Sequence, residues 1–232
     1  MSLRVTSFFK ERPALLLHQI LFRLSGRPNP RHLWDEDKDF SRLVRTISGH
    51  TLVDKERCFI IYQLIQQAAS LQGAVAEVGV FKGGTARLLA EGLKAQHKDL
   101  YLFDTFEGMP PTDPRWDTHQ KGDFKDTSLE AVKSFLSGFN KVHFFKGIFP
   151  ESAKPIEELK FSLVHIDVDI FSSVVDSCGF FYPRMEKGGM IIFDDYGRLS
   201  CPGVKVAVDE FFSGKPEKPC YLPTGQCLIF RL

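Results

Sequence analysis

The chain has 232 residues, with 30 Lys and Arg against 29 Asp and Glu, and 43% of it is hydrophobic. A net charge of +1 offers no broad basic field, which disfavours nucleic acid as a partner and points to a small molecule. Five scattered cysteines without C-x-x-C spacing argue against a disulfide framework and a structural zinc site, and fit a reducing cytoplasm.

The run from Ala14 to Phe22 is apolar and flanked by Arg4, Lys10, Arg12, Arg23 and Arg27. It is too short to span a bilayer and is interrupted by His18 and Gln19, so no transmembrane segment is expected. An amphipathic helix packed on the body or on a second subunit is the favoured reading, with a membrane-surface helix as the other. Pro28 and Pro30 then break the chain. Residues 1–49 are therefore expected to form a helical arm or lid region, a candidate homo-oligomer contact, and residues 50–232 the main domain.

From about residue 54, Cys58, Ile61, Tyr62, Ile65 and Ala68 recur at helical spacing. After Gly73 the period shortens, and Ala74 to Val80 reads as a first strand, followed by a Gly-Gly turn and a helix from Thr85 to about Gln96. Leu100 to Phe103 is the second strand, Val142 to Phe145 the third, Phe161 to Ile166 the fourth and Met190 to Phe193 the fifth. Helices are predicted over Ser128–Leu136, Glu151–Leu159, Ser172–Met185 and Val204–Phe212. Such alternation implies right-handed crossovers and a mostly parallel sheet with helices on both faces. Pro219–Leu222 and Gln226–Phe230 flank Pro-Thr-Gly and predict a closing antiparallel hairpin, across which Cys220 and Cys227 could face each other. The loop over residues 105–126 is long enough to be a lid; its Trp116 and His119 either line a pocket or anchor the loop.

The first turn, Glu77-Val-Gly-Val-Phe-Lys-Gly-Gly-Thr85, sits where open parallel sheets bind ligands. A dinucleotide fingerprint would need glycine at position 81, which is Phe, and the phosphate-loop Lys-Ser/Thr is also missing. An acid at the end of each of the first two strands, Glu77 and Asp104, instead suits a ligand with a ribose and no pyrophosphate, such as S-adenosylmethionine. Two further strands end in acids: Asp167 and Asp169 after the fourth, Asp194 and Asp195 after the fifth. Four carboxylates at neighbouring strand ends need neutralising. A hard divalent cation such as Mg²⁺ answers that need, since neither Cys nor His is evidently placed to favour zinc. The same aspartates singly could only cap helices, Asp169 the one beginning near Ser172.

Residues from about 50 to 232 resemble the metal- and S-adenosylmethionine-dependent O-methyltransferases of the macrocin and mycinamicin type, which methylate sugar hydroxyls on natural products. The resemblance rests on four stretches: the turn just quoted, Asp104-Thr-Phe-Glu-Gly-Met-Pro110, Asp167-Val-Asp169 and Asp194-Asp-Tyr196. It implies the class I methyltransferase, Rossmann-like sheet. It also implies cofactor contacts from Glu77, Gly79, Lys82, Gly83, Gly84, Thr85, Asp104, Thr105 and Phe106, with Thr51 contributing from before the first matched helix. Metal ligation by Asp167, Asp194 and Asp195, and a general-base role for Asp169, follow from the same resemblance. Lys82 also reads as a solvated turn residue, and His165 as a satisfied core histidine rather than a base. His50 and His119 lie in loops within reach. Where the family usually has Leu or Ser then Tyr after the first acidic pair, this chain has Ile170 and Phe171. Two other functions compete: a Mg²⁺-dependent glycosyltransferase holding a nucleotide-sugar at Asp167 and Asp169, and a non-catalytic scaffold of the same fold.

Overall fold

Burial of alternating apolar runs produces a seven-stranded sheet in the computed structural model, which describes residues 33–232. The expected helix over residues 14–22 lies outside the described residues. The chain divides into two units, Met1–Lys38 and Asp39–Leu232. Of the first, a short helix α1 (Leu33–Glu36) is described. Residues 39–49, grouped with the arm in the sequence reading, fall in the second unit. There the helix α2 (Lys38–Ile47) buries Phe40 and Ile47, and the Phe40 ring lies 4.9 Å from Phe59. No described helix is long and apolar enough to cross a membrane.

Helix α3 (Lys55–Ala68) starts where expected, because Asp54 caps it by accepting the Arg57 backbone N–H at 3.0 Å. The chain then runs through β1 (Ala74–Val78), α4 (Gly84–Leu93), β2 (Leu100–Asp104), α5 (Leu129–Phe135) and β3 (Val142–Lys146). It continues with β4 (Phe161–Ile166), α6 (Phe171–Phe181), β5 (Met185–Phe193), α7 (Pro202–Phe212), β6 (Cys220–Tyr221) and β7 (Cys227–Phe230). The segment expected as a helix over Glu151–Leu159 is 3-10 from Glu151 to Ile156, with Pro155 inside it. Strand order is β3-β2-β1-β4-β5-β7-β6, parallel except for the last two, which are antiparallel to β5 and to each other respectively. This is the class I methyltransferase sheet. Cys220 pairs with Leu228 and Tyr221 with Cys227, so the two cysteines are not opposite each other, and both are free.

The sheet is covered on both faces. Helices α3 and α4 pack together, as do α6 and α7. Alternate strand residues Ala76, Val78, Phe103, Val164, Ile166, Ile191 and Phe193 form one core with Val174, Cys178, Phe181, Val204 and Phe212 of the second pair. Stacked and edge-on rings tighten it, with Phe103 5.1 Å from Phe145 and Phe161 5.0 Å from Phe181.

Candidate active site

Register sets the site. Val78 is the partner of both Phe103 and Ile166, and Ile166 is the partner of Phe193. The residue after each, Gly79, Asp104, Asp167 and Asp194, therefore leaves the sheet at one level. The backbones stay bonded as they leave: Asp167 N–H donates to Val78 at 2.9 Å and Asp194 N–H to Ile166 at 3.0 Å. Gly79 is required there. Its φ is +87°, and a Cβ would stand 1.8 Å from the Asp167 carbonyl oxygen. At this rim opens a cleft with about 1080 Å³ of empty space, partly open to solvent.

Of the residues expected at a cofactor, Thr51, Gly79, Thr85, Asp104 and Thr105 line this cleft. Asp104 is heavily engaged: Oδ2 accepts the N–H groups of Val80 and Phe81 at 2.7 and 2.9 Å, and Oδ1 that of Phe106 at 2.6 Å. It ties the two turns together, and Oδ1 also receives the Thr105 hydroxyl at the longer distance of 3.5 Å. Lys82, Gly83, Gly84 and Phe106 are not in the cleft wall. Lys82 pairs with Asp126 across the loop. Gly84 lets helix α4 approach the preceding segment, since a Cβ would lie 2.6 Å from the Thr51 side chain. Phe81 takes φ +51° where a dinucleotide site has glycine, and its side chain forms part of the wall.

Glu77 is placed differently from expectation: it is fully buried and absent from the wall. Its Oε1 contacts His165 Nδ1 at 2.8 Å on the neighbouring strand, and His165 Nε2 lies 3.6 Å from Asp194 Oδ1. Burial opposes a charge on His165, but Asp194 and Glu77 outweigh it and raise its pKa to about 9. His165 therefore sits fully buried between two carboxylates, bonded to Glu77 through Nδ1 while Nε2 has no hydrogen-bond partner among the described residues, and it lies outside the cleft wall, a core position rather than that of a base.

The aspartates converge. One carboxylate oxygen from each of Asp167, Asp194 and Asp195 lies within 4.8 Å of the others. Part of their neutralisation comes from a residue the motifs did not reveal. Arg57, 6% exposed on α3, sends Nη1 to Asp194 and to within 3.5 Å of Asp195, and Nε to Asp54 at 3.1 Å. Gln226 of the hairpin donates to Asp194 at 2.8 Å. Against burial, His165 and Arg57 hold the Asp194 pKa below the usual range. Burial and the neighbouring Asp194 push Asp167 well above it, and burial with Asp169 and Asp194 pushes Asp195 to about 7. Asp195 Oδ2 is buried without a hydrogen-bond partner among the described residues. Three hard oxygen donors, one of them with an unsatisfied buried oxygen, meet Arg57 and the His165 ring chiefly at Asp194, and that donor set fits Mg²⁺ or Ca²⁺.

Asp169 lies in the same cleft, but not by strand alternation. The strand ends at Ile166, and Asp169 has φ +61°, a strained value for a residue with a side chain. Nor does it cap α6. The Phe171 N–H donates instead to Asp117 Oδ1 at 2.8 Å, so the loop supplies the cap. Trp116 stacks on Phe171 with centroids 5.3 Å apart, which makes it the anchor of the loop rather than a wall of the cleft. His119, next to this anchor, brings Nε2 to 3.9 Å from Asp169 Oδ1, while Cys201 Sγ donates to the same oxygen at 3.3 Å. His119 thus reaches Asp169, as its place in a loop within reach allowed, and Cys201 joins it there, whereas the cluster of Asp167, Asp194 and Asp195 contains neither Cys nor His. Burial raises the Asp169 pKa despite these partners. His50 also reaches the cleft, with its ring stacked 3.8 Å from Phe135.

The missed residues, Arg57, Cys201 and Gln226, carry no motif. Only the spacing of Arg57 three residues after a capping acid hinted at its pairing with Asp54.

Residues 16–217 match the family model described as Macrocin-O-methyltransferase (TylF). Demethyldecarbamoylnovobiocin O-methyltransferase of Streptomyces niveus is 27% identical over 182 residues, 71% of this chain and 68% of that protein. An O-methyltransferase of Streptomyces olivaceus, named for the 4′ position of 8-demethyl-8-(2,3-dimethoxy-alpha-L-rhamnosyl)-tetracenomycin C, is 25% identical over 66% of this chain and 65% of its own. Among solved structures, the O-methyltransferase NovP superposes with a TM-score of 0.68 at 24% identity, covering 78% of this chain and 82% of that one, a likeness of fold.

Proposed function

Because the chain belongs to the macrocin O-methyltransferase family and is an O-methyltransferase, we propose that it moves the methyl group of S-adenosylmethionine to a sugar hydroxyl of a glycosylated natural product, with a divalent cation. The observation that carries this reading is the convergence of Asp167, Asp169, Asp194 and Asp195 on the cleft that also contains Gly79 and Asp104. The rhamnosyl compound in the name of one relative supports a sugar acceptor. The nucleotide-sugar and scaffold readings have no counterpart in the family match.

Asp104, at the end of the second strand, borders the cleft and is suited to accept a hydrogen bond from a ribose hydroxyl at Oδ1 in place of its long 3.5 Å contact with Thr105, and Thr51, Thr85 and Thr105 border the same space. Asp167, Asp194 and Asp195 would hold the cation, which supplies positive charge that acidifies an acceptor hydroxyl. Asp169 takes the hydroxyl proton. Its half-buried carboxylate, with its pKa raised by desolvation, is a stronger base than a fully solvated one, and it borders the cleft from a backbone in the αL region. Bound S-adenosylmethionine would supply the methyl group, the new bond joining the acceptor oxygen to that carbon as the sulfur–carbon bond breaks with its electron pair left on sulfur, and Asp169 would receive the hydroxyl proton. Arg57 and His165 hold the Asp194 carboxylate ionised, and Asp117 and Trp116 hold the loop against the turn that bears Asp169.

The test combines labelled S-adenosylmethionine with a panel of glycosides. Methyl incorporation should need a divalent cation and disappear with a chelator. Asp169→Asn should lower kcat by roughly 10²–10⁴-fold while cofactor binding survives. Full rate in chelator would overturn the metal assignment, and substantial turnover by Asp169→Asn the base assignment.

A further inference from the structure

His119, Asp169 and Cys201 come from three separate segments: the long loop, the β4–α6 turn and the residue before α7. Their donor atoms close a small triangle. Cys201 Sγ is 3.3 Å from Asp169 Oδ1 and 3.7 Å from His119 Nε2, and Nε2 is 3.9 Å from Oδ1. One S, one N and one O ligand around a tetrahedral zinc ion, with bonds of about 2.3, 2.05 and 2.0 Å, stand about 3.3–3.6 Å apart. The two separations to sulfur are thus within about 0.2 Å of a zinc-binding arrangement, and the Nε2–Oδ1 separation would need to close by about 0.6 Å. A second feature is independent of that triangle. His119 Nδ1 lies 3.3 Å from Asp123 Oδ2, so a carboxylate fixes the far side of the ring and leaves Nε2 facing the other two ligands. Asp169, 22% exposed at its side chain, leaves an open side toward the cleft for a fourth ligand.

We propose that His119, Asp169 and Cys201 form a second metal site, selective for Zn²⁺ or a similar thiophilic ion, whose occupation switches off methyl transfer. The two sites differ in softness: three carboxylate oxygens at Asp167, Asp194 and Asp195 suit a hard cation, whereas the S and N donors select against Mg²⁺. Binding exchanges the Cys201 thiol proton for the ion and places that proton on buffer. The coordinated oxygen belongs to Asp169, so the ion draws electron density from that carboxylate and lowers its basicity toward the acceptor hydroxyl. The binding claim stands on the triangle and on Asp123; the inhibitory claim rests on Asp169 being the base.

The experiment keeps these apart. The full chain, stripped with chelator and then saturated with Mg²⁺, is titrated with Co²⁺ as a spectroscopic stand-in for zinc. One equivalent should bind with a near-ultraviolet sulfur-to-cobalt charge-transfer band that Zn²⁺ abolishes. The band should be absent in Cys201→Ser, and Co²⁺ affinity should fall at least tenfold in His119→Ala, whose change in a half-buried loop residue spares the core. No band in the wild type, a band that survives in Cys201→Ser, or unchanged affinity in His119→Ala would overturn the site. In parallel, methyl transfer at saturating Mg²⁺ should fall in proportion to Zn²⁺ occupancy. Zinc bound with the rate intact would leave the site standing and overturn Asp169 as the base.

Discussion

Replacing Arg57 by Met tests whether one guanidinium stabilises the acidic cluster. Met is a good helix former of comparable length, so α3 itself is little affected, and the Asp54 cap survives because it uses the backbone N–H of residue 57. The change removes the Nη1 contacts to Asp194 and Asp195 and the Nε contact to Asp54 at 3.1 Å. A unit-charge pair at the 3.5 Å separation seen for Asp195 is worth about 5 kcal/mol at an effective dielectric of about 20, before desolvation. Burying the guanidinium cost part of that, and breaking such a pair from one side typically costs about 3–5 kcal/mol because the carboxylates stay buried. Urea unfolding in chelator should therefore show a loss of about 3–5 kcal/mol. Added Mg²⁺ should recover more stability in the variant than in the wild type, since the cation replaces a missing positive charge. A loss below about 1 kcal/mol, the range of exposed pairs, would refute the view that Arg57 neutralises the cluster. Equal or smaller recovery with Mg²⁺ would refute the competition between guanidinium and cation.

Gly79→Ala should destabilise by more than about 2 kcal/mol and abolish activity, because its Cβ would meet the Asp167 carbonyl at 1.8 Å and φ is +87°; a soluble variant with wild-type thermal midpoint would contradict the close approach. Asp117→Ala should cost about 1–2 kcal/mol in chemical denaturation and lower kcat, as α6 loses its cap and the loop its tie. Asp117→Asn, which keeps an acceptor for Phe171 N–H, should retain most of both. Glu217 accepts from Tyr182 Oη at 2.8 Å and pairs with Arg231, and against its burial its own backbone N–H, then Tyr182 and Arg231, lower its pKa from 4.5 to about 2. A carboxylate depressed on folding stabilises above its unfolded pKa, and that contribution disappears as pH falls through the interval from about 4.5 to about 2. It is worth at most roughly 3 kcal/mol. Glu217→Gln should accordingly flatten the loss of thermal stability over that interval, and an unchanged acid limb would refute the assignment.

The parallel core was legible because its strands are short apolar runs closed by Gly, Asp or Pro, and the helices between them hold 3.6-residue periodicity. The acids at the ends of β2, β4 and β5 were legible for the same reason: polar residues at the end of a buried run stand out. Their geometry was less so. Asp167-Val-Asp169 reads as strand alternation, yet the chain leaves β4 at Ile166 and enters αL at Asp169, a turn that no periodicity announces. Glu77 reads as a cofactor acid because it lies in the turn motif. It is turned inward by strand parity and meets His165 on a strand 88 residues away. Arg57, Cys201 and Gln226 could not be found by spacing, since each is defined by a long-range partner: Arg57 and Asp194 are 137 residues apart.

The buried contact between Glu77 and His165 also bears on how the sheet is assembled. Parallel strands covered on both faces are runs of interchangeable aliphatic residues, so a slip of two positions keeps every hydrophobic side chain on its own face. Glu77 and His165 are direct register partners. Any slip would part the Glu77 carboxylate from the His165 ring and leave both polar groups buried without each other, a larger cost than an aliphatic mismatch. The pair thus acts as an index mark between the two central strands. By fixing how far β1 travels along β4, it makes Gly79 and Asp167 emerge side by side, so the alignment of the catalytic rim is set within the interior of the sheet.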